Sequence, residues 1–185
     1  MRLFLAIELT PELKRSLTRI VEALRPVGRT VRWVGTEQMH LTLKFLGELP
    51  DSALADVCGA CEGVAAAAAA CELVLDRAGY FGPANRVRVI WGGSSQTPAA
   101  LSETARRCDD AFEALGVAAE QRPFAAHITL GRVKLDDSRG KLSSAVDAIK
   151  VIPARQPVTE MTLFESRLGP RGPQYTVVGR YGFRG

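Results

Sequence analysis

Apolar positions along the chain change period repeatedly, and each change marks an element. Residues 3–8 run apolar like a strand, and Thr10-Pro11-Glu12 then predicts a helix start, with Thr10 as N-cap and Pro11 at the first helical position. Leu13, Leu17, Ile20, Val21 and Leu24 recur at helical spacing until Pro26-Val27-Gly28 ends the helix. Residues 31–34 and 39–46 read as two strands separated by a polar turn. After a break at 47–50, Asp51-Ser52 predicts the cap of an Ala-rich helix reaching about residue 70. Residues 72–78 and 86–91 then predict strands flanking a loop at 79–85.

The second half repeats the theme. Thr97-Pro98 opens a helix with Leu101, Ala105, Cys108, Phe112 and Leu115 on one face, and Gly116 stops it. Residues 124–133 predict a strand, 138–149 a helix, and 158–164 and 175–183 two more strands. A helix with antiparallel strands, occurring twice without a low-complexity linker, predicts an α+β fold. Its expected form is one domain over residues 1–185, with two similar lobes of antiparallel sheet and helices packed outside.

Composition narrows the class. The 185 residues are 46% apolar and 24% charged, which excludes disordered, collagen-like and coiled-coil architectures. The longest unbroken apolar run, residues 64–71, falls far short of the ~20 residues of a membrane span. Glu8 cuts the first apolar run short of a secretion signal, so Cys58, Cys61, Cys71 and Cys108 are expected to be reduced thiols and the protein cytoplasmic. Cys58-Gly59-Ala60-Cys61 resembles half a zinc site, yet within a predicted helix it reads as buried small residues.

Net charge is +4, carried by 19 Arg and only 5 Lys. Guanidinium forks suit phosphate, although a GC-rich coding background gives the same bias. Position is more telling: no acidic residue follows Glu165, while Arg167, Arg171, Arg180 and Arg184 do, so the excess lies in the last twenty residues. A polyanionic partner is the expectation, and a monomer.

The two histidines of the chain open the same pattern, His40-Leu41-Thr42-Leu43 and His127-Ile128-Thr129-Leu130. On a strand each His shares a face with the Thr two residues on, while the intervening apolar residues point into a core. If the two lobes bring the motifs to one central cleft, two imidazoles and two hydroxyls surround a single substrate atom. One neutral imidazole then takes a proton from water and a charged one gives a proton to a leaving alkoxide. Two hydroxyls donate to oxygens where charge accumulates, which suits phosphoryl chemistry on a cyclic diester without metal or cofactor.

Neighbouring residues complete the candidate set. Lys44 has the parity of His40 and Thr42 and is expected at the cleft mouth, a solvated strand lysine being the alternative. Arg132 has the opposite parity to His127 and needs a bulge to turn it inward. Phe45, Phe81, Phe124 and Tyr175 are candidates to stack on a base, against ordinary core packing. Gly169-Pro170-Arg171-Gly172 has the shape of a backbone clamp but reads as a hairpin turn.

The chain resembles the 2H phosphoesterases, specifically the RNA 2′,3′-cyclic phosphodiesterase branch once described as 2′-5′ RNA ligases. The resemblance is carried by Arg2-Leu3-Phe4-Leu5-Ala6-Ile7, Val31-Arg32-Trp33-Val34, the motif at His40 with its Lys44-Phe45-Leu46-Gly47 extension, Arg122-Pro123-Phe124, and the motif at His127 with Gly131-Arg132. The ending Ser166-Arg167-Leu168 with Gly172 and Tyr175 also fits, and Ala126 departs from the Pro often found there. The resemblance implies that His40 protonates the leaving 3′ oxygen, that His127 activates water, and that Thr42 and Thr129 bind phosphate, with Arg132 as the family's basic residue. It implies RNA with a 2′,3′-cyclic phosphate end, or a small cyclic nucleotide, as substrate. Spacing alone leaves open which histidine is the acid. It also leaves open 2′-5′ ligation of RNA halves by the same histidines, and an RNA-terminus binder without turnover.

Overall fold

The computed structural model describes residues 1–170 and 172–185. In chain order the elements are β1 (Arg2–Glu8), α1 (Pro11–Leu24), β2 (Val31–Trp33), β3 (His40–Glu48), α2 (Leu54–Ala67), β4 (Cys71–Leu75) and β5 (Arg77–Phe81). They continue with β6 (Val89–Gly93), α3 (Ala99–Glu113), β7 (His127–Val133), α4 (Lys141–Ala148), β8 (Ala154–Val158), β9 (Glu160–Gly169) and β10 (Gly172–Gly182). The class is α+β.

Two four-stranded antiparallel sheets carry the architecture, in the orders β10-β9-β1-β3 and β2-β7-β6-β5, and β4 pairs with β8 in a small third sheet. The unbroken apolar run Leu3–Ile7 suits its central place in the first sheet, where every one of those residues is buried. Helices α2 and α3 pack together behind the first sheet, and α1 and α4 behind the second. The pairing is crossed. Helix α1 follows β1 of the first sheet, yet its Leu17 and Ile20 press on Gly92 of the second. Helix α3 follows β6 of the second sheet and packs on β3 of the first.

Several sequence expectations need correction. Residues 72–78 are not one strand: the chain leaves the small sheet at Leu75 and joins a different sheet at Arg77. Asp76 fixes this corner, its carboxylate accepting bonds from the Ser95 amide and hydroxyl. Strand β8 escapes the apolar pattern because Pro153 and Pro157 mark it as a breaker, while Pro157 sits in the two-stranded sheet opposite Glu72. Helix α2 follows a 3₁₀ turn at Asp51–Ala53, has no side-chain cap, and ends at Ala67. Thr10 does cap α1, accepting from the Leu13 amide. Thr97 does not cap α3: its hydroxyl accepts from the Ala126 amide, 3.0 Å away, and so ties down the residue before His127.

Cys61 and Cys108 are buried behind the first sheet, and burial pushes both thiols up to about 12. No helix among the described residues is long and apolar enough to cross a membrane.

Candidate active site

Both histidine motifs end in the same irregularity. Across β1 and β3, Ala6 pairs with Thr42 and Leu5 with Lys44, leaving Leu43 as an extra residue. Across β6 and β7, Trp91 pairs with Thr129 and Ile90 with Gly131, leaving Leu130 extra. A bulge of one residue reverses the facing of everything that follows it. His40 and Thr42 therefore share a face with Phe45, and His127 and Thr129 share one with Arg132.

This corrects the expectation for Lys44. The bulge at Leu43 turns its side chain to the buried face, where the ammonium pairs with Asp109 of α3 at 2.5 Å and donates to the Ala118 carbonyl at 2.6 Å. Lys44 is 6% exposed and is not at the cleft mouth. Arg132 has the bulge its role required, and is exposed on the face of His127.

The two imidazoles are held alike. His40 Nδ1 lies 2.7 Å from the Gln38 carbonyl and His127 Nδ1 lies 2.8 Å from the Ala125 carbonyl. A carbonyl only accepts, so each Nδ1 carries the hydrogen. Each Nε2 is thereby left as the proton-transfer atom, basic in the neutral ring and acidic in the charged one.

Their surroundings differ. His40 stands 4.8 Å from the Phe4 ring and edge-on to Tyr175 at 5.2 Å, with Phe164 beyond. Burial holds its pKa below the usual 6.5, the bond to Gln38 opposing this in part. His127 meets Phe81 edge-on at 5.1 Å and Trp91 at 6.4 Å. An NMR titration is expected to find His40 protonating below 6.5 in the free protein. Bound phosphate should raise that value, since an anion favours the imidazolium, so phosphate binds more tightly as pH falls. A His40 titrating above 6.5 without ligand would contradict this geometry.

Strands β3 and β7 pack against each other, and β10 reaches across to the second sheet. Gln38 Nε2 donates to the Pro173 carbonyl at 2.5 Å. Burial raises the Tyr175 phenol, and the positive charges of Arg132 and Arg2 offset part of that rise. The two motif-bearing faces thus share one cleft, with Tyr175 standing by both His40 and the Arg132 charge.

Of the aromatic candidates, Phe45 is 62% exposed beside Phe4, and Phe81 is 43% exposed at His127. Phe124 is half-buried and packs against the core before β7 begins. Of the C-terminal arginines, Arg180 and Arg184 line one pocket together with Glu62 of α2. Arg167 pairs with Glu165 on the face opposite Tyr175, Arg180 pairs with Glu8, and the Arg184 backbone is bonded to Ala65 of α2. Arg171 lies outside the described residues. Phe4, Phe164 and Trp91 at the site were missed because apolar strand runs give no facing until register is known. No cluster of three or more metal-ligating side chains occurs among the described residues.

An antiparallel α+β frame that sets two H-x-T motifs about one cleft defines a two-histidine phosphoesterase. The model for the LigT-like phosphoesterases matches residues 7–91 and 93–175, and the chain belongs to that family. It is similar to the RNA 2′,3′-cyclic phosphodiesterase of Geobacillus stearothermophilus, at 32% identity over 181 residues, or 96% of this chain but only 56% of that protein. The enzyme of the same description from Methanothermobacter thermautotrophicus is 31% identical over 176 residues, 95% of each chain. Among solved structures, that of a Thermus thermophilus protein, TT0787, superposes with a TM-score of 0.80 at 30% identity, covering 100% of this chain and 99% of that one. Escherichia coli LigT complexed with 3′-AMP superposes with a TM-score of 0.74 at 27% identity, covering 98% and 97%.

Proposed function

We propose that this protein hydrolyses the 2′,3′-cyclic phosphate at RNA ends, and of small cyclic nucleotides, to a 2′-phosphate. The observation that carries the reading is the matched pair of imidazoles, each anchored through Nδ1 to a carbonyl two residues back. His127, the less enclosed ring, takes a proton from water at Nε2 as the water oxygen bonds to phosphorus. The bond from phosphorus to the 3′ oxygen breaks, and the Nε2–H of His40 gives its proton to that oxygen. Thr42 and Thr129 donate hydrogen bonds to the non-bridging oxygens, where negative charge grows. The substrate anion supplies what His40 lacks in the free protein, a charge that favours its protonated form. Arg132 adds positive charge on the same face. No metal enters the scheme, and the cell interior is the expected compartment.

The relatives' descriptions as RNA 2′,3′-cyclic phosphodiesterases support the substrate class, and the 3′-AMP complex of LigT supports a nucleotide as ligand. Phosphorus NMR on 2′,3′-cyclic AMP is expected to follow its conversion to 2′-AMP at an undiminished rate in excess EDTA. A 3′-AMP product would reverse the assignment of the leaving oxygen, and loss of activity on chelation would end the metal-free scheme.

A further inference from the structure

Strand β2 lies at the edge of the second sheet and pairs with β7 so that Arg32 stands directly opposite Arg132. Like charges facing each other across antiparallel strands are destabilising. Neither guanidinium is paired with a carboxylate among the described residues, whereas other exposed arginines find partners, as Arg155 does with Glu72 and Arg180 with Glu8. The bulge at Leu130 sets Arg132 on the face of His127 and Thr129, and the register sets Arg32 on that face beside it. Both lie at the cleft. Arg132 acts electrostatically on Tyr175, and Arg32 approaches β10 so closely that a Cβ at Gly172 would lie 3.5 Å from its guanidinium.

We propose that Arg32 and Arg132 together seat a second phosphate, the phosphodiester joining the cyclic-phosphate nucleotide to its 5′ neighbour. This rests on the reading of the site given above and extends it to the substrate class: oligonucleotides with at least one internal phosphodiester are preferred over free cyclic nucleotides. Two planar forks on adjacent strands present parallel N–H donors to one tetrahedral anion, and an anion between them removes their mutual repulsion. A mononucleotide has no group to occupy this seat.

The test uses Arg32→Gln with two substrates, 2′,3′-cyclic AMP and the dinucleotide ApA carrying the same cyclic end. The variant is expected to lose about tenfold in kcat/KM on the dinucleotide, the effect of one charge-assisted contact, and no more than about twofold on the mononucleotide. Affinity for the dinucleotide 2′-phosphate product, measured by calorimetry between 50 and 200 mM salt, should lose about 0.7 from its log–log salt slope. Arg32→Lys should retain the slope and lose affinity, because the charge stays and the fork does not. Thermal unfolding of Arg32→Gln should occur at or above the parent temperature, since a repulsion is removed. Equal losses on both substrates, no loss on either, or a lower unfolding temperature would each overturn the proposal. Failure of the parent to open the cyclic end of either substrate would instead overturn the cyclic phosphodiesterase reading.

Discussion

Replacing either histidine with alanine is expected to lower kcat by about 10²–10⁴-fold, the range spanned by positioned acids and bases. The two losses should not multiply. Water attack and departure of the 3′ oxygen are coupled in one displacement, so His40→Ala, His127→Ala and the double variant should retain similar residual rates. Neither change should unfold the protein. His127 is half-buried, and His40 is flanked by Phe4 and Tyr175, which pack against each other at 5.0 Å without it. Circular dichroism and product binding are expected to stay near the parent's. Near-parent turnover in either single variant would remove the two-imidazole mechanism.

The largest expected loss of stability comes from a residue outside the chemistry. Lys44→Ala removes the cation from Asp109, whose carboxylate is largely covered and also accepts from the Glu120 amide, and leaves the Ala118 carbonyl without its donor. Breaking a buried pair from one side costs about 3–5 kcal/mol, because the remaining charge is stranded. Pairing Lys44→Met with Asp109→Asn should recover much of this, since no unpaired charge remains and the amide oxygen still meets Glu120. Urea unfolding of both singles and the double gives the coupling directly. Additive losses would show that the pair carries no interaction. The bond to Ala118 lies on the path from α3 to His127, so Lys44→Ala is also expected to loosen the approach to the second motif.

Much of the site was legible because chemistry and facing coincide in H-x-T: alternation alone sets imidazole and hydroxyl together. Legibility ended one residue later. Parity counted through Leu43 sends Lys44 into the cleft and Phe45 to the core, and the structure reverses both, since an unpaired residue leaves no mark in a run of apolar side chains. The same bulge at Leu130 was anticipated for Arg132 only because the charge demanded an outlet. The helices were legible from their apolar stripes. Which sheet each helix covers was not, because the crossing depends on contacts between residues far apart in the chain. Thr97 shows the limit locally: Thr-Pro reads as a cap, and its hydroxyl serves a strand 29 residues away.

The interleaving of the strands governs how the two motifs are held relative to each other. The first sheet takes β1 and β3 from the first half of the sequence and β9 and β10 from the second, while the second sheet takes β2, β5 and β6 from the first half and β7 from the second. The chain therefore crosses between the two sheets four times, from β1 to β2, β2 to β3, β3 to β5 and β7 to β9, and moving one sheet against the other would strain all four connections. Four separate ties restrain how far one histidine motif can part from the other, so the spacing of the imidazoles is held by the weave of the chain rather than by a single joint.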